Sequence, residues 1–109
     1  MKDFYFSNDE DERDFLKNKK WLIHSLVVDA VKKAKVEDLE SIVVFRMINP
    51  INDFIMVTEL GKDNWIGSLN KSLEYYESVE EYERCREITE LINDIENDNN
   101  KTNRGKNKN

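Results

Sequence analysis

The chain has 109 residues, 39% of them hydrophobic and 37% charged, with a net charge of -6. This length suits one domain with a modest core. Of the 17 basic residues four lie in the last nine positions, so residues 1–100 hold 13 basic against 23 acidic residues and carry -10. A body this acidic repels nucleic-acid phosphates, whose binding needs Lys and Arg, and it favours a partner with a basic surface.

The composition also excludes several classes of protein. The single cysteine, Cys85, rules out an internal disulfide and a Cys-rich zinc site. The longest apolar runs fall far short of the roughly 20 residues that span a bilayer, so we expect no membrane association. The first residues lead into an acidic cluster without the apolar core of a signal peptide. We therefore predict a cytoplasmic protein, in the host cytoplasm if the chain is viral.

The first third of the chain predicts an aromatic arm followed by helix. Residues 1–7 are read as a short arm whose aromatic side chains dock on the body, and Ser7 with Glu10 matches a helix-starting capping box. Apolar residues then recur at helical spacing, which predicts a long N-terminal helix. One helix over 8–35 and two helices broken near Asn18 both fit this pattern.

The period then changes to that of β-strands. Segments 41–48 and 54–60 are rich in Ile, Val, Phe and Met, and the loop 49–53 between them has strong turn chemistry. We predict a two-stranded β-hairpin with a five-residue loop. Both faces of this hairpin are apolar, so one face must pack on the helices. For the other face we predict a homodimer through the hairpin. The alternative is that Phe15, Trp21 or the aromatic arm covers this face within one chain.

The last third predicts two amphipathic helices and a tail. Apolar residues at helical spacing follow Gly61, and we expect Trp65 and Tyr76 among them to lie in the core. A Ser-x-x-Glu box from Ser78 to Glu81 suggests where a second helix starts, with Tyr82 on its apolar stripe. The pair is read as an antiparallel helical hairpin. Residues 98–109 have almost nothing to bury and are predicted to be disordered. The predicted fold is thus α+β, with a single domain over 1–97 and a disordered basic tail over 98–109.

Residues 66–96 resemble the UVR motif, a helical hairpin of bacterial excision-repair subunits and of some Clp-protease adaptors. The residues that carry the likeness are the acidic pair Glu80 and Glu81, the aromatic Tyr82, the acid Glu83, the small Cys85 and the aliphatic Ile88. Thr89 and Glu90 stand where the family has Arg-Asp. The resemblance implies a protein-docking role for the hairpin.

No constellation in the sequence predicts catalysis. His24 is the one histidine and lies between Ile23 and Ser25, beside apolar residues of the core stripe. The sequence offers no local companion for catalysis, so His24 is interpreted as a structural, partly buried side chain. Cys85 lies among core-spaced residues, and no glycine-rich phosphate loop is present. We predict no catalytic residue, no cofactor and no metal site, and a protein that is not an enzyme.

Protein binding is the function class that these features favour. We predict a small acidic protein-interaction module, an adaptor or an inhibitor of the cellular or viral kind, that docks an unidentified protein through the C-terminal hairpin. Helical spacing and the UVR likeness give five candidate contacts: Tyr75, Glu80, Glu83, Arg84 and Glu87. The alternative is a nucleic-acid-associated accessory protein whose basic tail touches phosphate, with nucleic acid excluded from the acidic body.

Overall fold

The fold is seen in a computed structural model that describes residues 2–6, 8–50 and 54–107. Its elements in chain order are β1 (Lys2–Tyr5), α1 (Asp9–Asn18), α2 (Lys20–Val36), β2 (Ser41–Asn49), β3 (Phe54–Gly61), a 3₁₀ turn (Lys62–Asn64), α3 (Trp65–Ser78) and α4 (Tyr82–Asn107). The predicted α+β class is confirmed. The chain divides into two compact units, Met1–Trp65 and Ile66–Asn109. The single domain predicted over 1–97 stays a prediction.

The sheet has three strands in the order β1-β2-β3, not the two that the sequence predicted. The β2–β3 hairpin is present and antiparallel, and the aromatic arm adds β1 in parallel to β2, with Lys2 opposite Phe45 and Tyr5 opposite Ile48. The arm therefore docks on the body as predicted, but through backbone pairing as well as side chains. A strand of four residues whose partner lies about forty residues away leaves no local pattern to detect.

The predicted long N-terminal helix is wrong, because the structure has two helices separated at Lys19. Lys19 has φ -111° and ψ 33°, outside helical geometry, and its N–H donates to the Phe15 carbonyl at 3.0 Å, which closes α1. Asn18 turns its side-chain amide back onto Asp14. Such local bonding is why Asn disfavours helix interiors. At the other end Asn8 caps α1 by accepting from the Asp11 N–H at 2.7 Å, whereas Ser7, the predicted cap, lies outside the described residues.

An aromatic cluster centred on Phe15 forms the core between α1 and the sheet. The Phe15 ring lies 4.7 Å from Phe4, 5.3 Å from Phe6 and 6.4 Å from Phe45, measured between ring centroids. The last two contacts are edge-to-face, an arrangement that aromatic pairs prefer. Apolar side chains of α2 complete the layer: Leu22, Ile23, Leu26, Val27 and Ala30. The cluster joins β1, α1 and β2 in one hydrophobic core.

The register of β2 breaks between Val43 and Phe45. Strict alternation of the strand put Val44 on the face opposite Phe45, but both side chains are buried, at 4% and 3% exposure, in the same core. A β-bulge explains this, since one extra residue in a strand shifts the side-chain alternation beyond it. The outer face beyond the bulge consequently carries Arg46 and Ile48.

The C-terminal segment is helical in the structure, where disorder was predicted. Helix α4 runs to Asn107, so residues 98–107 continue the helix, and Lys108 and Asn109 lie outside the described residues. Once a helix has been nucleated, each further residue adds one backbone bond without needing an apolar face. In the described part of the chain, no helix has both the length and the apolar character needed to cross a membrane.

Replacing Phe15 with alanine tests the aromatic cluster. We expect Phe15→Ala to lower the free energy of unfolding by about 3 kcal/mol, because a buried ring is lost and its three aromatic neighbours keep a cavity. Urea denaturation followed by circular dichroism measures the change. The matched control is Leu16→Ala on the same helix, where the side chain is 41% exposed and the change should stay below about 1 kcal/mol. Equal effects of the two substitutions would contradict a core centred on Phe15.

Candidate protein-interface site

The turn between α3 and α4 has a defined backbone geometry. Helix α3 ends at Ser78 and α4 begins at Tyr82. The Glu81 N–H donates to the Tyr76 carbonyl at 2.9 Å and the Glu80 N–H donates to the Glu77 carbonyl at 3.1 Å. These two bonds form a Schellman motif, in which the residue after the helix adopts the left-handed conformation. That residue is Glu80, with φ 60°.

The predicted capping box at Ser78 is not formed. The Ser78 hydroxyl instead donates to the Tyr75 carbonyl at 2.6 Å, inside the last turn of α3. Helix α3 thus extends through the serine that was expected to start the next helix. The three connecting residues, 79–81, are held to α3, because each of their backbone N–H groups donates to a carbonyl of that helix.

Seven consecutive residues, 77–83, are exposed at this turn, and we call them the α3–α4 turn. Two of them are large apolar side chains, Val79 at 47% and Tyr82 at 67% exposure. The acidic members are Glu77, Glu80, Glu81 and Glu83, and no basic residue lies among the seven. The turn therefore presents an apolar pair within a negatively charged segment.

Tyr82 corrects the sequence interpretation of α4. Helical spacing placed it on the apolar stripe, but it is the first residue of the helix and most of its side chain is exposed. The stripe begins further along the helix, with Ile88 fully buried and Leu91, Ile92 and Ile95 at 9% exposure or less. The spacing alone could not separate an exposed first residue from a buried one. The signal available in the sequence was the position of Tyr82 beside a predicted helix break.

The five predicted contact residues divide into two groups. Glu80 and Glu83 are exposed within the turn. Tyr75, Arg84 and Glu87 are only partly exposed, and the first two contact the buried ring of Tyr76. Arg84 donates to the Glu87 carboxylate at 2.9 Å and its guanidinium lies 5.7 Å from the centre of that ring. Tyr75 lies 5.2 Å from Tyr76 in an edge-to-face contact.

The contacts around Tyr76 support the turn from beneath. Tyr76 is 6% exposed, which confirms its predicted place in the core, and Trp65 is confirmed as a core residue at 2%. Cation–π and edge-to-face contacts of this kind fix ring orientation and contribute roughly 0.5–1.5 kcal/mol each. Arg84 and Glu87 are therefore engaged in contacts within this chain, whereas the side chains of Tyr82 and of the exposed glutamates are accessible to solvent.

Cys85 lies two residues after the α3–α4 turn and is half-buried. Burial raises the pKa of its thiol, and the carboxylates of Glu77 and Glu81 raise it further. A raised pKa keeps the sulfur protonated at neutral pH, which is the opposite of an activated nucleophile. The thiol is accordingly a packing group in this unit.

Three other features of the described residues were considered as functional sites: His24, a groove beside α2, and possible metal ligands. His24 is half-buried on α2, where burial and then Lys20 lower its pKa, in keeping with its interpretation as a structural histidine. A groove of about 550 Å³ lies beside α2 and β2, and its lining mixes Lys33 with Asp29 and Glu37 over an apolar floor. Within the described ranges, no group of three or more His, Cys, Asp or Glu side chains is placed to hold a metal ion.

Comparisons with protein-family models, with curated proteins and with solved structures each give no match. The resemblance of residues 66–96 to the UVR motif thus gains no support from a family match. The candidate site depends on its own geometry: a rigid turn with two exposed apolar side chains among four glutamates.

Replacing Glu80 with glycine tests the left-handed backbone. An L-residue in this conformation costs roughly 1–2 kcal/mol that glycine avoids. We expect Glu80→Gly to raise the free energy of unfolding by about 1 kcal/mol in urea denaturation. Glu83→Gly, in the first turn of α4, is the matched control and should lower it by about 0.5–1 kcal/mol. Destabilisation by Glu80→Gly to the same extent would show that residue 80 is not left-handed.

The reactivity of Cys85 tests its surroundings. In the folded protein we expect iodoacetamide to alkylate Cys85 more slowly than in the urea-unfolded chain. The midpoint of its rate against pH should also lie higher, since the folded state favours the protonated thiol. Glu77→Gln should lower this midpoint, because of the two carboxylates that raise the pKa of the Cys85 thiol it removes the one with the larger effect. Identical midpoints for folded and unfolded protein would contradict the assigned environment.

Proposed function

We propose that this protein is a small protein-interaction module, an adaptor or an inhibitor, that docks a partner through the α3–α4 turn. The observation that carries the proposal is the exposure of Val79 and Tyr82 on a rigid, acidic turn. Exposed apolar side chains are common singly, but tyrosine is enriched among the residues that carry most of the binding energy at interfaces.

The glutamates of the turn set the kind of partner. Four glutamates flank the two apolar side chains along the turn, so a complementary surface has an apolar cleft rimmed by Lys or Arg. Charges at the edge of an interface mainly accelerate association and give specificity. Glu80 and Glu83 are assigned this role, and it becomes weaker as added salt screens the charges.

Tyr82 is assigned the role of anchor. Tyrosine buries a large ring at low conformational cost and keeps a hydroxyl for a hydrogen bond, which is why it is enriched among the residues that dominate binding energy. Removal of such an anchor acts mostly on the dissociation rate.

Affinity capture followed by binding kinetics tests the proposal. The full-length protein is used to capture partners from native cell extract, and each partner is then purified and its binding measured directly. We expect Tyr82→Ala to weaken binding about 30-fold or more, mainly through faster dissociation. Glu80→Lys and Glu83→Lys should slow association and remove most of its salt dependence.

Matched controls are available elsewhere in the chain. Trp21 is another exposed aromatic, at 53%, and lies on α2, so Trp21→Ala should leave binding unchanged. Glu96→Lys changes an exposed acid further along α4 and serves as the control for charge. Retention of every captured partner by Tyr82→Ala and by both charge reversals would refute docking through the turn.

A further inference from the structure

The outer face of the sheet in unit 1 carries a second exposed apolar surface. The strand register aligns Tyr5, Ile48 and Ile55 in one row across all three strands. Tyr5 is 70% and Ile55 58% exposed, and Ile48 is half-buried between them. Helices α1 and α2 pack on the opposite face, so this row is not part of the Phe15 core.

The neighbouring row is nearly neutral in charge. It aligns Asp3, Arg46 and Val57, and Val57 is 49% exposed. Arg46 donates to both oxygens of Asp3, at 2.8 Å and 2.7 Å, so the two charges are paired on the face itself. On the other side of the bulge, Glu59 accepts a hydrogen bond from the neutral Ser41 hydroxyl at 2.9 Å. Within the two rows, the charges of Asp3 and Arg46 are thus paired with each other, and Glu59 lies outside these rows.

We propose that the outer sheet face, defined by Tyr5, Arg46, Ile48, Ile55 and Val57, binds a second copy of this chain to form a reversible homodimer. The charge distribution points to this occupant. Two chains that each carry -6 repel one another over most of their surfaces, and they approach most easily through a face whose charges are internally paired. A strongly charged partner would instead gain nothing from this face.

The geometry of the row also suits two-fold symmetry. A two-fold axis parallel to the Tyr5–Ile48–Ile55 row packs each row against its own image. The same rotation places the two Asp3–Arg46 ion pairs on opposite sides of the packed apolar rows. At these positions the charged groups of each pair keep contact with water. Aligned packing of two sheets face to face is a common arrangement, with the sheets about 10 Å apart.

The size of the face predicts a weak dimer. Strands of four, nine and eight residues cover roughly 300–400 Å² of sheet plane, from the usual rise and strand spacing. Two such faces bury at most about 1,000 Å² in total, the lower limit for a specific interface. Association in the high micromolar range is therefore expected, with monomer predominating in dilute solution.

Sedimentation equilibrium of the full-length protein, from low micromolar to near-millimolar concentration, tests the dimer. The mass should rise from 13.0 kDa towards twice that value as concentration increases. Ile55→Lys should weaken dimerisation at least tenfold, because it places a charge at the β3 end of the apolar row, which the dimer would bury. Lys is well tolerated on exposed strands, and circular dichroism confirms folding. Tyr5→Ser is a second variant that introduces no charge and should weaken the dimer in the same direction.

Val36→Lys is the matched control. Val36 is 85% exposed at the end of α2, away from the outer sheet face, and its replacement should leave the dimerisation constant unchanged. A monomer mass at every concentration would overturn the proposal. So would a dimer that Ile55→Lys and Tyr5→Ser leave intact, or one that Val36→Lys weakens equally.

Discussion

The packing of three phenylalanines, Phe4, Phe6 and Phe45, around Phe15 is the interaction on which unit 1 depends. A two-stranded hairpin is not stable alone in water, and a four-residue parallel strand is weaker still. Phe4 and Phe6 place β1 against β2 because their rings pack on Phe15, and Phe15 in turn seats α1 over the sheet. Sheet pairing, helix placement and the existence of an outer face all follow from this one cluster.

Sequence patterns were sufficient for the elements whose structure is set by near neighbours. The β2–β3 hairpin, the apolar stripe of α4 and the core positions of Trp65 and Tyr76 were predicted from spacing and turn chemistry, and the structure has them. The break at Lys19 was one of two alternatives, because Asn18 weakens a helix without always ending it. Such choices depend on local bonds, here Asn18 to Asp14, that a pattern of apolar residues does not record.

Patterns of apolar spacing and turn residues could not predict pairing between distant strands, β-bulges or left-handed residues other than glycine. Pairing of β1 with β2 depends on residues about forty positions apart, and the bulge at Val44 changes which face a side chain occupies without changing the sequence pattern. At the candidate site, Glu80 and Glu83 could be identified from the sequence as exposed acids. The exposure of Tyr82 was missed although the nearby helix break was a signal, because apolar spacing does not show that α4 begins only after a Schellman turn, here built on a glutamate where glycine is usual.

The parallel pairing of β1 has a consequence for the order of folding. Helices α3 and α4 are built from contacts between near neighbours and can form within microseconds. Lys2 meets its partner Phe45 only after a loop of more than forty residues has closed, an entropic cost that must be met before the aromatic rings contact one another. During synthesis, the residues made first are thus among the last to become ordered. Until β3 has been made and β1 is in place, β2 exposes unpaired backbone on both sides, so newly made chains are most prone to intermolecular strand pairing in that interval.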